Sequence, residues 1–121
     1  MITTANTILL EPCPSSPNCV SSQNKGGQFV EPLSLLVEAP QSLAHLLEIL
    51  ESRSDTTIIA ADHQMIRVEF KTSLGFVDDG HFVLDSEHGI IQVLSASRVG
   101  YWDFGKNRRR LEEIRRQYTA R

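Results

Sequence analysis

Four β-prone runs follow one another between residues 56 and 98 with only short polar turns between them, and this succession limits the architecture more than any other feature of the chain. In the second run, 65–72, Ile66, Val68 and Phe70 alternate with Arg67, Glu69 and Lys71, the period-2 pattern of a strand with one buried face and one wet face. The first run, 56–61, is set off from it by Asp62, His63 and Gln64, which predicts a hairpin. Runs 76–85 and 90–98 are joined by Ser86, Glu87, His88 and Gly89 and are expected to pair antiparallel. Helical spacing brackets the four runs. Leu43, Leu46, Leu47 and Leu50 predict a helix over 40–53 with Pro40 in its first turn, and the lone His45 within it is given no role. Asn107, Leu111, Ile114 and Tyr118 predict a closing helix over 106–119. The expected fold is therefore α+β: a four-stranded antiparallel meander with helices before and after it packed on one face. A length of 121 residues suits one domain, 1–121.

Ahead of these elements, residues 11–28 combine Pro12, Pro14 and Pro17 with small polar residues, so neither helical nor strand hydrogen bonding is expected to run through them. They predict an irregular but ordered N-terminal arm over 1–28, with the helix-and-strand body over 29–121. Cys13 and Cys19 enclose five residues, a loop small enough for a disulfide; oxidising surroundings favour the bridge and a reducing cytosol favours two thiols. Residues 1–10 carry no basic residue ahead of their short apolar patch, so the address expected from the sequence as it stands is cytoplasmic, or exported or luminal if a leader precedes it. No apolar run approaches the ~20 residues that span a bilayer.

The formal charge of −3 hides an asymmetry. Residues 1–97 balance at −8, with four Lys/Arg against twelve Asp/Glu; residues 98–121 balance at +5, with eight against three. A basic final helix ending in Arg115, Arg116 and Arg121 complements its own dipole, and the same residues raise nucleic acid or an anionic surface as an alternative partner. The acidic body, and an aromatic platform beside that helix limited to Tyr101, Trp102 and Phe104, rank nucleic acid last.

Polar function concentrates where the fourth run meets the last helix. An approximate register across the 86–89 turn sets Leu84 against Ile90, Phe82 against Gln92, Asp79 against Ser95 and Asp78 against Ala96. It places Asp78 on one face with Ala96 and Arg98, and Asp79 on the other with Ser95 and Ser97. Asp103 is placed to cap the helix, and Asn107 lies on the apolar stripe one turn before Leu111, so its amide is expected to point inward and find partners. Arg108, Arg109 and Arg110 stand at the helix start, where the dipole opposes them. Internal Asp78, Asp79 and Asp103, favoured about two to one, or a bound phosphate or carboxylate held by Arg98, Arg108 or Arg110, must offset them.

Several of these stretches resemble the domain of unknown function 1499 family: the run 12–21, Pro-Cys-Pro-Ser-Ser-Pro-Asn-Cys-Val-Ser; Phe76-Val77-Asp78-Asp79; Ser95-Ala96-Ser97-Arg98-Val99-Gly100; and Asp103-Phe104-Gly105-Lys106-Asn107-Arg108-Arg109-Arg110. The likeness covers about residues 12–117. It implies bacterial and plastid relatives, many behind an export signal or membrane anchor, and marks Cys13, Pro17, Asn18, Cys19, Asp78, Asp79, Ser95, Ser97, Arg98, Gly100, Asp103, Gly105, Asn107, Arg108 and Arg110 as characteristic. It implies no reaction.

The expected function is a non-enzymatic binding or accessory module holding a small anion or a partner segment with Asp78, Asp79, Ser95, Ser97, Arg98, Asp103, Asn107, Arg108 and Arg110. The alternative is a hydrolase-like enzyme with Asp78 or Asp79 as base and Arg98 with Arg108 stabilising negative charge, although adjacent strand residues point to opposite faces. No cofactor is expected and no metal, since His63, His81 and His88 show no paired ligand spacing.

Overall fold

The structure, a computed structural model, describes residues 9–120; residues 1–8 and Arg121, with the start of the expected arm and the last cation of the basic segment, lie outside it. The chain forms β1 (Cys19–Ser21), a 3-10 turn (Gly26–Gln28), β2 (Leu33–Ser34), α1 (Ala39–Glu51), β3 (Thr56–Ala61), β4 (Met65–Lys71), β5 (Val77–Asp85), β6 (Ile90–Ser97) and α2 (Lys106–Thr119). The four long strands and both helices stand where the periodicity puts them. The strand count does not. The sheet has six strands rather than four, in the order β1-β6-β5-β4-β3, with β2 also paired to β6.

The two extra strands lie in the segment that reads as an irregular arm and in the connection after it. β6 pairs with β5 on one side, and its other edge would expose backbone donors and acceptors along buried residues. β1 covers residues 94–96 of that edge and β2 covers residues 90–91, both antiparallel. All three prolines of the arm precede Cys19, so none removes a donor from β1.

The β5–β6 register also departs from expectation, by one residue. Asp85 pairs with Ile90 as the last rung, leaving a four-residue turn, so Leu84 faces Ile91, Phe82 faces Val93, Asp79 faces Ala96 and Asp78 faces Ser97. A single-residue slip exchanges the two faces. Asp78 therefore shares its face with Ser95 and Ser97, and Asp79 shares the opposite face with Ala96. Asp85 keeps the longer strand because its carboxylate is bound at 2.9 Å by Nε2 of Gln92 and lies 2.9 Å from Nδ1 of His88, and Gly89 closes the turn with φ of 69°.

Both helices cover one face of the sheet. Leu43, Leu46 and Leu50 of α1 and Leu111, Ile114 and Tyr118 of α2 pack with Ile66, Val68, Phe70, Phe82, Ile91 and Val93 in one apolar cluster. The other face is partly covered by the arm, where Leu10, Cys13 and Cys19 meet Val83, Leu94 and Ala96. Cys13 and Cys19 are joined by a disulfide, and Oε1 of Gln23 accepts the N–H groups of Leu9 and Leu10 at 2.9 Å each.

Gly80, mid-strand in β5, matters because of what lies over it. A Cβ there would fall 2.5 Å from Cε2 of Phe70 and 2.7 Å from Cγ2 of Val68, both buried on the adjacent strand. Gly80→Ala should lower stability by about 1 to 3 kcal/mol through overpacking. A shifted denaturation midpoint with an unchanged denaturant slope is the expected reading, and an unchanged midpoint would show that Phe70 has room to move.

Candidate functional site

The inner, helix-covered face carries a dry polar cluster. Asn107, fully buried in the first turn of α2, anchors it: its Nδ2 donates to Oδ2 of Asp103 (2.8 Å), Oγ of Ser97 (3.0 Å) and the carbonyl of Asn18 (3.2 Å). Its Oδ1 accepts from Oγ of Ser95 (2.6 Å) and Nη1 of Arg110 (3.0 Å). The inward amide expected from the sequence is present, and its partners are mostly side chains. Asp103 serves the helix start as expected: its carboxylate accepts the backbone N–H groups of Gly105 (2.8 Å) and Asn107 (3.1 Å). Burial raises the Asp103 pKa, but the bonds from Asn107 and Gly105 outweigh it and hold the carboxyl below its ordinary value.

Asp78, fully buried, lies beside this hub. Its Oδ1 accepts from Nζ of Lys106 at 3.3 Å; its Oδ2 lies 2.9 Å from Nη2 of Arg110 and 3.1 Å from Nζ of Lys106, off the hydrogen-bond axes, so the attraction there is coulombic. Arg110 in turn lies 4.5 Å over the ring of Phe70, which adds a cation–π contact to its ion pair with Asp78. One buried acid thus holds two cations from the first turns of α2. The internal offset expected for Arg110 is found; Lys106, its companion, carried no signal beyond its place at the helix start.

Arg98 and Asp79 occupy the other face. Nε and Nη2 of Arg98 grip the two oxygens of Asp79 at 2.9 Å each, and Nη2 also reaches Oε2 of Glu69 at 2.7 Å. The bond to Asp79, then that to Glu69, raise the Arg98 pKa and keep it charged. The expectation of one cluster is corrected here: the sheet divides it, with Asp78, Ser95, Ser97, Asp103, Asn107 and Arg110 inside and Asp79 with Arg98 outside. The outer pair borders a groove of 460 Å³ beneath the arm, where Arg67 and His81 both meet Glu11, at 3.0 and 3.1 Å. Its charges are already paired.

Arg108 joins neither group. Its Nη2 donates to the carbonyl of Gly27 (2.8 Å), which places it on a second groove of 300 Å³ between the arm and α2. Lys25, Gln28, Ser15, Pro17 and Trp102 line that groove, and of these Lys25 and Trp102 are not among the site residues expected from the sequence, because only the fold brings 25, 102 and 108 together. Arg108 lies apart from the Asp79–Arg98 pair, so the base and the two arginines of the hydrolase reading do not come together in one site. Asp78 is sealed between its cations. Among the described residues, no group of three or more His, Cys, Asp or Glu is arranged to hold a metal, and no helix is long and apolar enough to cross a membrane.

A small α+β domain with two helices on one face of an antiparallel sheet and a buried Asp/Arg/Lys/Asn cluster at its last helix is thus defined. The family model for proteins of unknown function designated DUF1499 matches residues 9–118, and the chain belongs to that family. Comparison with curated proteins and with solved structures gives no match.

Asp78→Asn should cost about 3 to 5 kcal/mol, because it leaves the buried Arg110, and the partly exposed Lys106 beside it, without their counter-charge. Asp79→Asn, at a half-exposed pair, should cost about 1 kcal/mol or less. Chemical denaturation of the two variants side by side checks the division, and equal losses would contradict it.

The two histidines flanking the outer face titrate in opposite directions. Burial lowers the His81 pKa, with the bond to Glu11 offsetting only part of it; the bond to Asp85 raises that of His88. His81 therefore contributes stability that is complete above the ordinary value of ~6.5 and falls as pH drops below it, whereas the His88–Asp85 contribution is complete below that value and fades as pH rises through the raised pKa. NMR titration should find the His81 midpoint below, and the His88 midpoint above, that of a free histidine. The reverse order would refute the assignment.

Proposed function

We propose that the domain is a non-enzymatic binding module whose ligand side is the groove between the arm and the start of α2, and that it takes a small anion or an anionic segment of a partner. One observation carries this reading. Lys25 and Arg108 have no carboxylate partner among the described residues, and the one carboxylate lining their groove, Asp103, already accepts from Gly105 and Asn107. The groove is therefore left with uncompensated positive charge beside an indole. The buried cluster serves as its scaffold: Asn107, Asp103 and Asn18 hold the groove's walls without offering a free polar group of their own. The closed Cys13–Cys19 bridge supports an exported or luminal working place over a cytoplasmic one.

Trp102 is the only tryptophan and lines the groove, so its emission reports binding there. Titration with inorganic phosphate or an acidic peptide should change that emission in a salt-sensitive way, and Arg108→Gln should weaken binding about tenfold, the worth of one charge-assisted hydrogen bond. Emission unmoved by phosphate, carboxylates and acidic peptide alike would defeat the reading.

A further inference from the structure

Six of the nine large apolar side chains that stand exposed among the described residues crowd one end of the sheet. Leu74 and Phe76 project from the turn over 72–76, and Val99, Tyr101, Trp102 and Phe104 from the connection between β6 and α2, with exposures from 50% to 82%. The two loops leave the sheet side by side: Lys71 pairs with Val77 at the mouth of the turn, and the N–H of Arg98 reaches the carbonyl of Val77 at 3.4 Å. A contiguous set of this kind on a small domain marks a surface that meets something apolar.

The set is not a loose one. Nδ2 of Asn18 holds the carbonyl of Gly100 at 2.6 Å, and Nη1 of Arg109 holds that of Phe104 at 2.6 Å. Trp102 and Phe104 meet edge to face with centroids 6.2 Å apart. Phe104 has φ of 56° and Gly105 follows at 79°; a bulky residue in the left-handed region is unfavourable in itself, and here it turns the ring outward. The buried cluster thus fixes a backbone whose apolar side chains are left in water.

We propose that this end of the domain docks on the interface of an anionic phospholipid bilayer, with the aromatic side chains entering at headgroup depth and Lys25 and Arg108 meeting lipid phosphates. The inference rests on the binding-module reading and names its partner. Shape favours a bilayer over a folded protein: Leu74, Phe76, Val99, Tyr101 and Phe104 line neither groove described above, and they project where a partner's side chains would need a concavity to enter. Residue type agrees, since Trp and Tyr beside Phe and Leu favour the zone between headgroups and acyl chains. Charge agrees as well. Lys25, Lys71, Arg108 and Arg109 surround the set without carboxylate partners, while Asp78, Asp79, Glu69 and Asp103 at the same end are each engaged by a cation or by N–H donors. An anionic surface supplies the missing counter-charge.

The test uses the full chain with its disulfide intact and vesicles of phosphatidylcholine, with and without phosphatidylglycerol. Cosedimentation with the phosphatidylglycerol vesicles, a blue shift of Trp102 emission and its quenching by lipids brominated near the headgroup are expected, all reduced by added salt. The double variant Leu74→Ser, Phe104→Ser should lower partitioning at least tenfold, while Val37→Ser, an equally simple change of an exposed apolar residue ahead of α1, should leave it unchanged. Circular dichroism of each variant shows that the fold is kept. Absence of sedimentation with phosphatidylglycerol vesicles overturns the inference, as does binding that ignores the double variant. So does a dimer, seen in analytical ultracentrifugation, that the double variant dissolves while vesicles are ignored, for the surface then belongs to a second copy of the chain. A Trp102 response to inorganic phosphate without vesicle binding leaves the binding-module reading standing and removes only the lipid.

Discussion

A carboxamide without access to water must find partners for both its donors and its acceptor, and Asn107 finds them on three separate stretches of chain, one of them 89 residues away. It touches the backbone of Asn18 at the edge of β1, the hydroxyls of Ser95 and Ser97 on β6, and the Asp103 carboxylate that organises the start of its own helix. Because the Asn18 carbonyl also accepts the N–H of Ser97, the Ser95 hydroxyl also meets Arg110 and Asp103 also accepts two backbone N–H groups, the position of α2 along the sheet is specified by direction as well as by contact. Apolar packing alone tolerates small slides; a buried network with defined donor and acceptor geometry does not.

The double aspartate shows the same economy of placement. Adjacent residues on a strand face opposite ways, so Asp78 enters the dry layer to neutralise Lys106 and Arg110, and Asp79 stands in the wet layer to engage Arg98. Two acids that look like a pair in the sequence have unrelated surroundings and unequal energetic weight. The basic character of the last helix is likewise divided: Arg110 is buried, Arg115 is held by Glu112 and by the carbonyls of Glu31 and Pro32, and Arg108 and Arg109, bonded to the carbonyls of Gly27 and Phe104, face the arm and the exposed aromatic end.

Much of this was legible in the residues. Alternation over 65–72 marks β4 because burial on one face imposes a period of two, and the leucine and Leu111/Ile114/Tyr118 stripes mark the helices for the corresponding reason. A polar residue on an apolar stripe singles out Asn107. What escaped is what depends on a distant partner. β1 and β2 are three and two residues long, too short for any period, and exist because β6 has an edge to cover. The 86–89 turn fixes the register only approximately, and with Asp85 paired to Ile90 a slip of one residue was enough to exchange the faces expected for Asp78 and Asp79. Lys25 and Trp102 acquire a common groove only through the fold, and no local pattern announces that.

The arm that closes β6 is the earliest described part of the chain, while the segments it braces come last: Asn18 meets Gly100 and Asn107 across 82 and 89 residues. During synthesis these bonds have no partner until nearly the whole polypeptide has emerged, so the shape of the 98–105 connection is among the last features a nascent chain can acquire. A proteolytic cut after Ser21 would detach β1 and leave residues 94–96 of β6 without a neighbour on that side, while β2 still covers 90–91, and that stretch of open edge would invite strand exchange with neighbouring molecules.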